Sequence, residues 1–224
     1  MGEEFKIVDP SPSIPPISVI WSGGFDSTAL VIKYLEEGRQ VHTLAVSLTN
    51  NKDQAKFEKI ARERIWKMLN EEFPNKLTNT NEMVWPEVLF KSLPQPPIWL
   101  YNASMNCPTN DVALGYVRHD DIWHYRREVL ELVRALDVFK GQTTTLHFPF
   151  EWNSKEELLP FYVKRPHVFH IISTDELGGM PWSLGDSDKC KEMQELSEKL
   201  KKLIYVQPTE TILTSLPTSS NIPQ

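Results

Sequence analysis

Cysteine is nearly absent: Cys107 and Cys190 are the only two among 224 residues. Two thiols cannot supply a four-cysteine zinc site or a disulfide framework, and so few point to a reducing compartment. An excess of positive charge is also lacking. With 24 Lys and Arg against 30 Asp and Glu, the formal net charge is −6 at pH 7. Tight non-specific binding to nucleic acid needs a broad cationic surface, so a nucleic acid is not expected as a direct partner, although a local basic cleft stays open. No apolar run approaches the roughly 18 residues of a membrane span. The start, MGEEFKIVDPSPSIPP, has neither the basic nor the apolar region of a signal peptide. Lys6 stands where a myristoylation motif on Gly2 needs Ser or Thr. These absences lead to the expectation of a cytoplasmic protein with no membrane partner.

What is present suits a folded globular chain: 40% of the residues are apolar and 24% charged, and the length fits one domain. A Pro-rich lead over 1–16 precedes a domain over 17–206, and a tail over 207–224 rich in Pro, Ser and Thr is expected to be extended or loosely held. ISVIW (17–21) reads as a buried strand, STALVIKYLEE as a helix closed by Gly38, and QVHTLAVSL as a second strand. A long helix is predicted over 52–72, with Phe57, Ile60, Ala61, Ile65, Met68 and Leu69 on one face. Prolines break the pattern over 73–110, where EMVWPEVLF and IWLYNASM are candidate short elements. DVALGYV (111–117) is a third apolar strand, followed by a helix from Trp123 to Phe139. TTLHFPF (144–150) and PHVFHII read as strands, SKEELLPFY (154–162) as a short helix capped by Ser154, and 188–203 as a last amphipathic helix. Strands alternating with helices predict an α/β fold: a doubly wound parallel sheet of about five strands with a small helical C-terminal part.

The sharpest feature is Ser22-Gly23-Gly24-Phe25-Asp26-Ser27, set between an apolar strand and a helix. Ligands of parallel sheets bind at the carboxyl ends of the strands. Two glycines allow a tight turn and close backbone approach, and the N–H groups of the turn and of the next helix form an anion nest. Ser22 and Ser27 add hydroxyls. Asp26 is out of place as a direct phosphate ligand, and either holds Mg2+ or orients the loop. The bland alternative is a glycine turn capped by Ser and Asp. No GKS or GKT follows, so this is not a Walker A loop, and the GxGxxG spacing is absent.

SGGFDS after a strand resembles the pyrophosphate loop of the PP-loop ATP pyrophosphatases, whose members cleave ATP between the α and β phosphates and adenylate a carboxylate or carbonyl. Within them, the order of later segments is most similar to 7-cyano-7-deazaguanine synthase. ALGYVRHDD, WHYRREVLELVRAL, TLHFPFEWNSKEELLPFY and PWSLGDSDKCKEM resemble successive pieces of that family. The resemblance implies a fold of the adenine nucleotide alpha hydrolase type, with ATP and Mg2+ as cofactors. It implies nucleotide binding by Ser22, Gly23, Gly24, Phe25, Asp26 and Ser27, with Val46, Ser47 and Leu48 offering backbone to adenine. It implies catalytic roles for Asp26, Asp120, Asp121 and Lys155, the lysine lying near the phosphates. Arg126, Arg127 and Asp121 would face a deazaguanine substrate. The implied partners are a deazaguanine carboxylate and ammonia or an amine, and a homodimer is admitted.

The chain departs from that family where its four zinc cysteines belong: only Cys190 stands there, beside Ser183, Leu184 and the DSDK stretch. One thiolate without a nearby histidine cannot close a zinc site, so zinc is not expected. PQPPIWLYNASMN (94–106) stands where the family has a Pro-Gly-Arg-Asn segment. Three alternatives to the synthase reading therefore stand: a tRNA-modifying enzyme, a nucleotide-binding protein without catalysis, and an enzyme that modifies a protein amine. Other residues carry competing readings. His167 and His170, with His147 and Asp175, could ligate a metal, but on a strand i and i+3 point to opposite faces. His119-Asp120-Asp121 binds Mg2+ or substrate, or caps a helix. Arg126 and Arg127 clamp an anion or face solvent. Cys107 is a nucleophile or an inert thiol. Trp85, Trp99, Trp123, Trp152 and Trp182 are core residues, or one of them stacks a base.

Overall fold

The structure is a computed structural model of the chain and describes residues 14–48, 52–78, 81–85, 95–172, 182–183 and 185–206. The first part of the Pro-rich lead, residues 86–94, Asp175, Leu184 and the tail from 207 lie outside the described residues.

Five strands, β1 (Ile17–Ile20), β2 (Val41–Leu48), β3 (Asn81–Trp85), β4 (Asp111–Leu114) and β5 (Thr145–His147), alternate with α1 (Phe25–Glu36), α2 (Lys52–Glu72), α3 (Gln95–Asn106) and α4 (Arg126–Lys140). Three further helices follow among the described residues: α5 (Pro160–Val163), α6 (Pro166–Ile171) and α7 (Asp188–Val206). The sheet runs in the order β3-β2-β1-β4-β5, and every pairing is parallel. This is the expected doubly wound α/β fold.

Both faces of the sheet are covered, which is why its central strands read as continuous apolar runs rather than alternating ones. All four residues of β1 are buried. Ile17 and Val19 of β1 pack with Val41, α1, α2 and α5–α7 on one face. Ile20, Leu44, Val112 and Leu114 pack with α3 and α4 on the other. α1 ends where Gly38 adopts φ 77°, and α4 where Gly141 adopts φ 65°, left-handed conformations that glycine takes without strain. Arg165 is buried and binds Glu36 at 2.8 Å and Glu72 at 2.7 Å, so it ties together the last turns of α1 and α2.

Four expectations need correction. PHVFHII is not a strand but α6: Pro166 has no N–H for a ladder yet suits the first turn of a helix. The TTLHFPF strand stops at His147, before Pro149. SKEELLPFY is a 3-10 turn over Glu156–Leu158 followed by α5, with Pro160 at the start of α5. The helix expected from Trp123 opens as a 3-10 turn over Asp121–Tyr125 and becomes α-helical at Arg126.

Candidate functional site

The chain runs outward from β1 through β2 to β3, then returns to lay β4 on the other side of β1. That reversal falls at the carboxyl ends of β1 and β4, the place where doubly wound sheets bind ligands. The Ser22–Ser27 loop lies at this point. Gly23 has φ 87°, a left-handed turn that turns the chain from β1 into α1. Gly24 is the N-cap of α1 and supplies no side-chain cap, so no capping side chain occupies the first N–H groups of the helix. The N–H of Gly24 donates to Ser22 Oγ at 3.2 Å, and the hydroxyls of Ser22 and Ser27 share a hydrogen bond of 3.0 Å. The two serines thus brace the loop as well as offering hydroxyls.

Phe25 faces inward. It is buried, stacks on Tyr162 at 4.9 Å and meets Phe169 edge-on at 5.9 Å. Its side chain anchors the loop, which leaves only its backbone for a nucleotide.

Asp26 is half-buried, but its Oδ1 is fully buried and has no hydrogen-bond partner among the described residues. Burial pushes its carboxyl up to about 7; Lys155 opposes the rise, while Asp120 and Glu192 add to it. Gly115, the residue just after β4, presses the loop from its other side. A Cβ on Gly115 would lie 2.9 Å from the carbonyl carbon and oxygen of Asp26 and from Cα of Ser27, so only glycine permits this approach.

Asp120 follows β4. Its Oδ2 accepts the Val117 N–H at 2.7 Å, and burial raises its pKa against that bond and against Lys155. Lys155 donates to Glu192 Oε2 at 2.6 Å. Burial alone would lower the lysine's pKa, but Asp26, Glu192 and Asp120 hold it above its usual value. Lys189, one turn before Glu192 on α7, is lowered by burial and by Lys155 while facing the same three carboxylates. The cluster is therefore two lysines among three carboxylates, drawn from α1, the β4 and β5 loops and α7. Asp26, Asp120 and Lys155 were named from the sequence; Lys189 and Glu192 were not, because they lie on a helix read only as amphipathic.

The remaining predicted residues fall elsewhere. Asp121 is exposed, in the turn that leads to α4. Arg127 is exposed and pairs with Glu131 on its own helix at 2.9 Å. Arg126 pairs with Glu151 and lies over the Trp123 ring at 5.8 Å. Neither arginine is brought to the Ser22–Ser27 loop by these bonds. His119 is exposed. Val46, Ser47 and Leu48 pair with Met83, Val84 and Trp85 of β3, whereas β1 pairs only as far as Leu44. Among the described residues, alternate positions of β2 beyond Leu44 therefore have no ladder partner on the side of β1. Ser47 Oγ donates to Glu82 Oε1 at 2.6 Å.

An aromatic wall stands next to Asp120. Tyr116 stacks with Trp99 at 6.3 Å and meets Trp123 at 6.4 Å, while Phe148 meets Trp123 edge-on at 5.3 Å. Trp123 Nε1 donates to the Val117 carbonyl at 2.7 Å. Trp99 Nε1 and Tyr116 Oη are buried without partners among the described residues. Trp182 is buried and Trp152 exposed.

Two candidates lose their support. Cys107 is buried and burial pushes its thiol up to about 11, the opposite of an activated nucleophile. His167 and His170 share a helix but are exposed, His170 stacks on Trp182 at 5.9 Å, and no group of three or more His, Cys, Asp or Glu able to hold a metal occurs among the described residues. No described helix is long and apolar enough to cross a membrane. No family model matches the chain, and no curated protein matches it.

Proposed function

We propose that this chain cleaves ATP to AMP and pyrophosphate in order to activate a substrate carboxylate, and that the acceptor is a 7-deazaguanine carboxylate converted to an amide or nitrile. The observation that carries the reading is the Ser22–Ser27 loop at the switch point of the sheet, with the buried, unpartnered Oδ1 of Asp26 beside Lys155. The phosphates sit on the free N–H groups at the start of α1, and the nucleoside lies along the open side of Val46–Leu48. Asp26 and Asp120 provide hard oxygen donors that fit Mg2+, which takes one or two protein carboxylates and completes its shell with phosphates and water. Mg2+ held there would neutralise charge on the phosphates.

Lys155 neutralises the charge that develops as the bond between the α-phosphorus and the bridging oxygen breaks. One oxygen of the substrate carboxylate attacks the α-phosphorus in line, and pyrophosphate leaves. The result is an acyl adenylate. Ammonia or an amine then displaces AMP, which carries away that carboxylate oxygen, and gives the amide. A second round on the amide oxygen yields the nitrile. The unpartnered donors of Trp99 and Tyr116 and the aromatic wall favour a flat heteroaromatic acceptor beside Asp120. The two reduced, buried cysteines and the need for free ATP favour the cytoplasm.

The test is one mass-spectrometric assay: purified protein, ATP, Mg2+ and ammonia, with and without 7-carboxy-7-deazaguanine, reading both nucleotides and bases. AMP together with an amide or nitrile base supports the proposal. ATP binding without AMP would replace it with a nucleotide-binding protein that does no chemistry. AMP formed only with added tRNA or a partner protein would move the acceptor to that macromolecule. Equal ATP cleavage by wild type and a Ser22→Ala, Asp26→Ala double variant would overturn the assignment of the loop.

A further inference from the structure

Arg62 lies inside the apolar stripe of α2. Its neighbours Ala61, Ile65 and Leu69 are buried, and Arg62 itself is only 4% exposed. A guanidinium is rarely so buried unless it is fully paired. Nη1 donates to the Ser22 carbonyl at 3.0 Å, and Nη2 to Glu82 Oε1 at 3.1 Å. Glu58 lies one turn away at 3.7 Å. Glu82 Oε1 also accepts Ser47 Oγ at 2.6 Å, and its Oε2 faces Lys59 at 3.3 Å. The stem of Arg62 lies against the loop as well: a Cβ on Gly23 would fall 2.8 Å from its Cγ.

An anion loop works only if its N–H groups converge on the ligand and its carbonyls turn away. The Ser22 carbonyl is one that could turn inward and repel a phosphate. Arg62 holds it outward, and the same guanidinium is held by the carboxylate that binds Ser47 of β2. One buried pair thus joins the pyrophosphate loop to the strand edge assigned to the nucleoside. A planar five-donor fork holds both acceptors in a fixed geometry, which the compact point charge of a lysine reproduces less well.

We propose that Arg62, oriented by Glu82, is a positioning residue for phosphate binding by the Ser22–Ser27 loop. This rests on the nucleotide reading above. Burial weakens the guanidinium's hold on its proton, and Glu58, Glu82 and Glu63 restore part of it. A side chain that merely filled the core would affect stability alone. A positioning residue also sets the affinity of the folded protein for phosphates and leaves affinity for the acceptor unchanged.

The experiment is calorimetric titration of wild type, Arg62→Gln, Arg62→Lys and Glu82→Gln with ATP–Mg2+ and with inorganic pyrophosphate–Mg2+. It is run well below each melting temperature, with folding checked by circular dichroism, and the KM of the acceptor is measured alongside. The expected result is a loss of affinity of about tenfold or more in Arg62→Gln for both ligands, a smaller loss in Arg62→Lys and Glu82→Gln, and an unchanged acceptor KM. Wild-type affinity in folded Arg62→Gln would overturn the proposal. If that variant does not fold, wild-type affinity in both Arg62→Lys and Glu82→Gln overturns it equally. A wild type that binds neither ATP nor pyrophosphate would instead bring down the nucleotide reading itself, and this proposal with it.

Discussion

Tyr162 and Phe25 are joined twice: their rings stack at 4.9 Å, and the Tyr162 hydroxyl donates to the Phe25 carbonyl at 2.5 Å. Tyr162 is completely buried, and burial together with Asp26 pushes its hydroxyl well above the usual range, so it remains a neutral donor. The short helix α5 therefore supports the floor of the Ser22–Ser27 loop from within the core.

Tyr162→Phe keeps the ring stack and removes that donor, leaving the buried Phe25 carbonyl without it. A destabilisation of about 1–2 kcal/mol is expected, measured by urea unfolding, because losing one partner of a buried pair costs the desolvation of the other. No change in the unfolding midpoint would show that the bond is not formed in solution.

Asp26 makes stability depend on pH in an unusual direction. Its carboxyl ionises near 3.8 when unfolded but near 7 in the folded protein, chiefly through burial. Below 3.8 both states hold the proton and its stabilising contribution is complete. As pH rises toward 7 the unfolded chain ionises first, so the contribution falls away and is lost above about 7. Asp26→Asn removes this term. The gap between variant and wild type is expected to move in favour of the variant by on the order of a few kcal/mol from pH 5 to 8. Parallel pH profiles of the two proteins would count against the assignment.

Gly115→Ala places a methyl group 2.9 Å from the backbone of Asp26 and Ser27. Backbone atoms cannot rotate away, so the loop or the segment after β4 must shift. A loss of about 1–3 kcal/mol is expected, together with weakened ATP binding. Normal stability with normal binding would mean that the two loops lie further apart than described.

Lys155→Met leaves Asp26, Asp120 and Glu192 facing one another with one cation fewer. ATP cleavage is expected to fall by about a hundredfold. The acidic limb of the rate profile should move to higher pH, since Lys155 is the larger of the influences that hold the Asp26 carboxyl down. A lower rate with an unmoved limb would place Lys155 away from Asp26 during turnover.

Cys107 is expected to be silent. A buried thiol pushed up to about 11 should resist iodoacetamide at pH 8 in the native state and react once the chain is unfolded. Cys107→Ala should retain ATP cleavage; a complete loss of cleavage in a folded Cys107→Ala protein would restore the thiol as a nucleophile.

The loop was legible in the sequence because all its determinants are consecutive: an apolar strand, two glycines, two serines and an acid, then a helix. β3 and α3, at the Pro-rich stretch, could be named only as candidates. The α6 segment misled because a short apolar run has the same composition whether it is strand or helix, and Pro166 was the deciding signal. Arg62 was overlooked because one more charged residue in a mostly polar helix looks like a solvated one. Its place three residues before Ile65 and seven before Leu69, on the buried stripe, was the available clue.

The sequence by itself determined the alternation of strands and helices, the double-sided burial of the sheet and the tight glycine turn of Ser22–Ser27 between β1 and α1. All of these follow from residue spacing and turn preferences that act over a few positions. Only the tertiary structure decided the order β3-β2-β1-β4-β5, and with it the convergence of Asp26, Asp120, Lys155, Lys189 and Glu192. Local periodicity states that a face is buried but not against what. The partners of a buried charge are chosen by how the helical crossovers pack, and that choice sets the protonation of Asp26 and the tethering of the loop through Arg62.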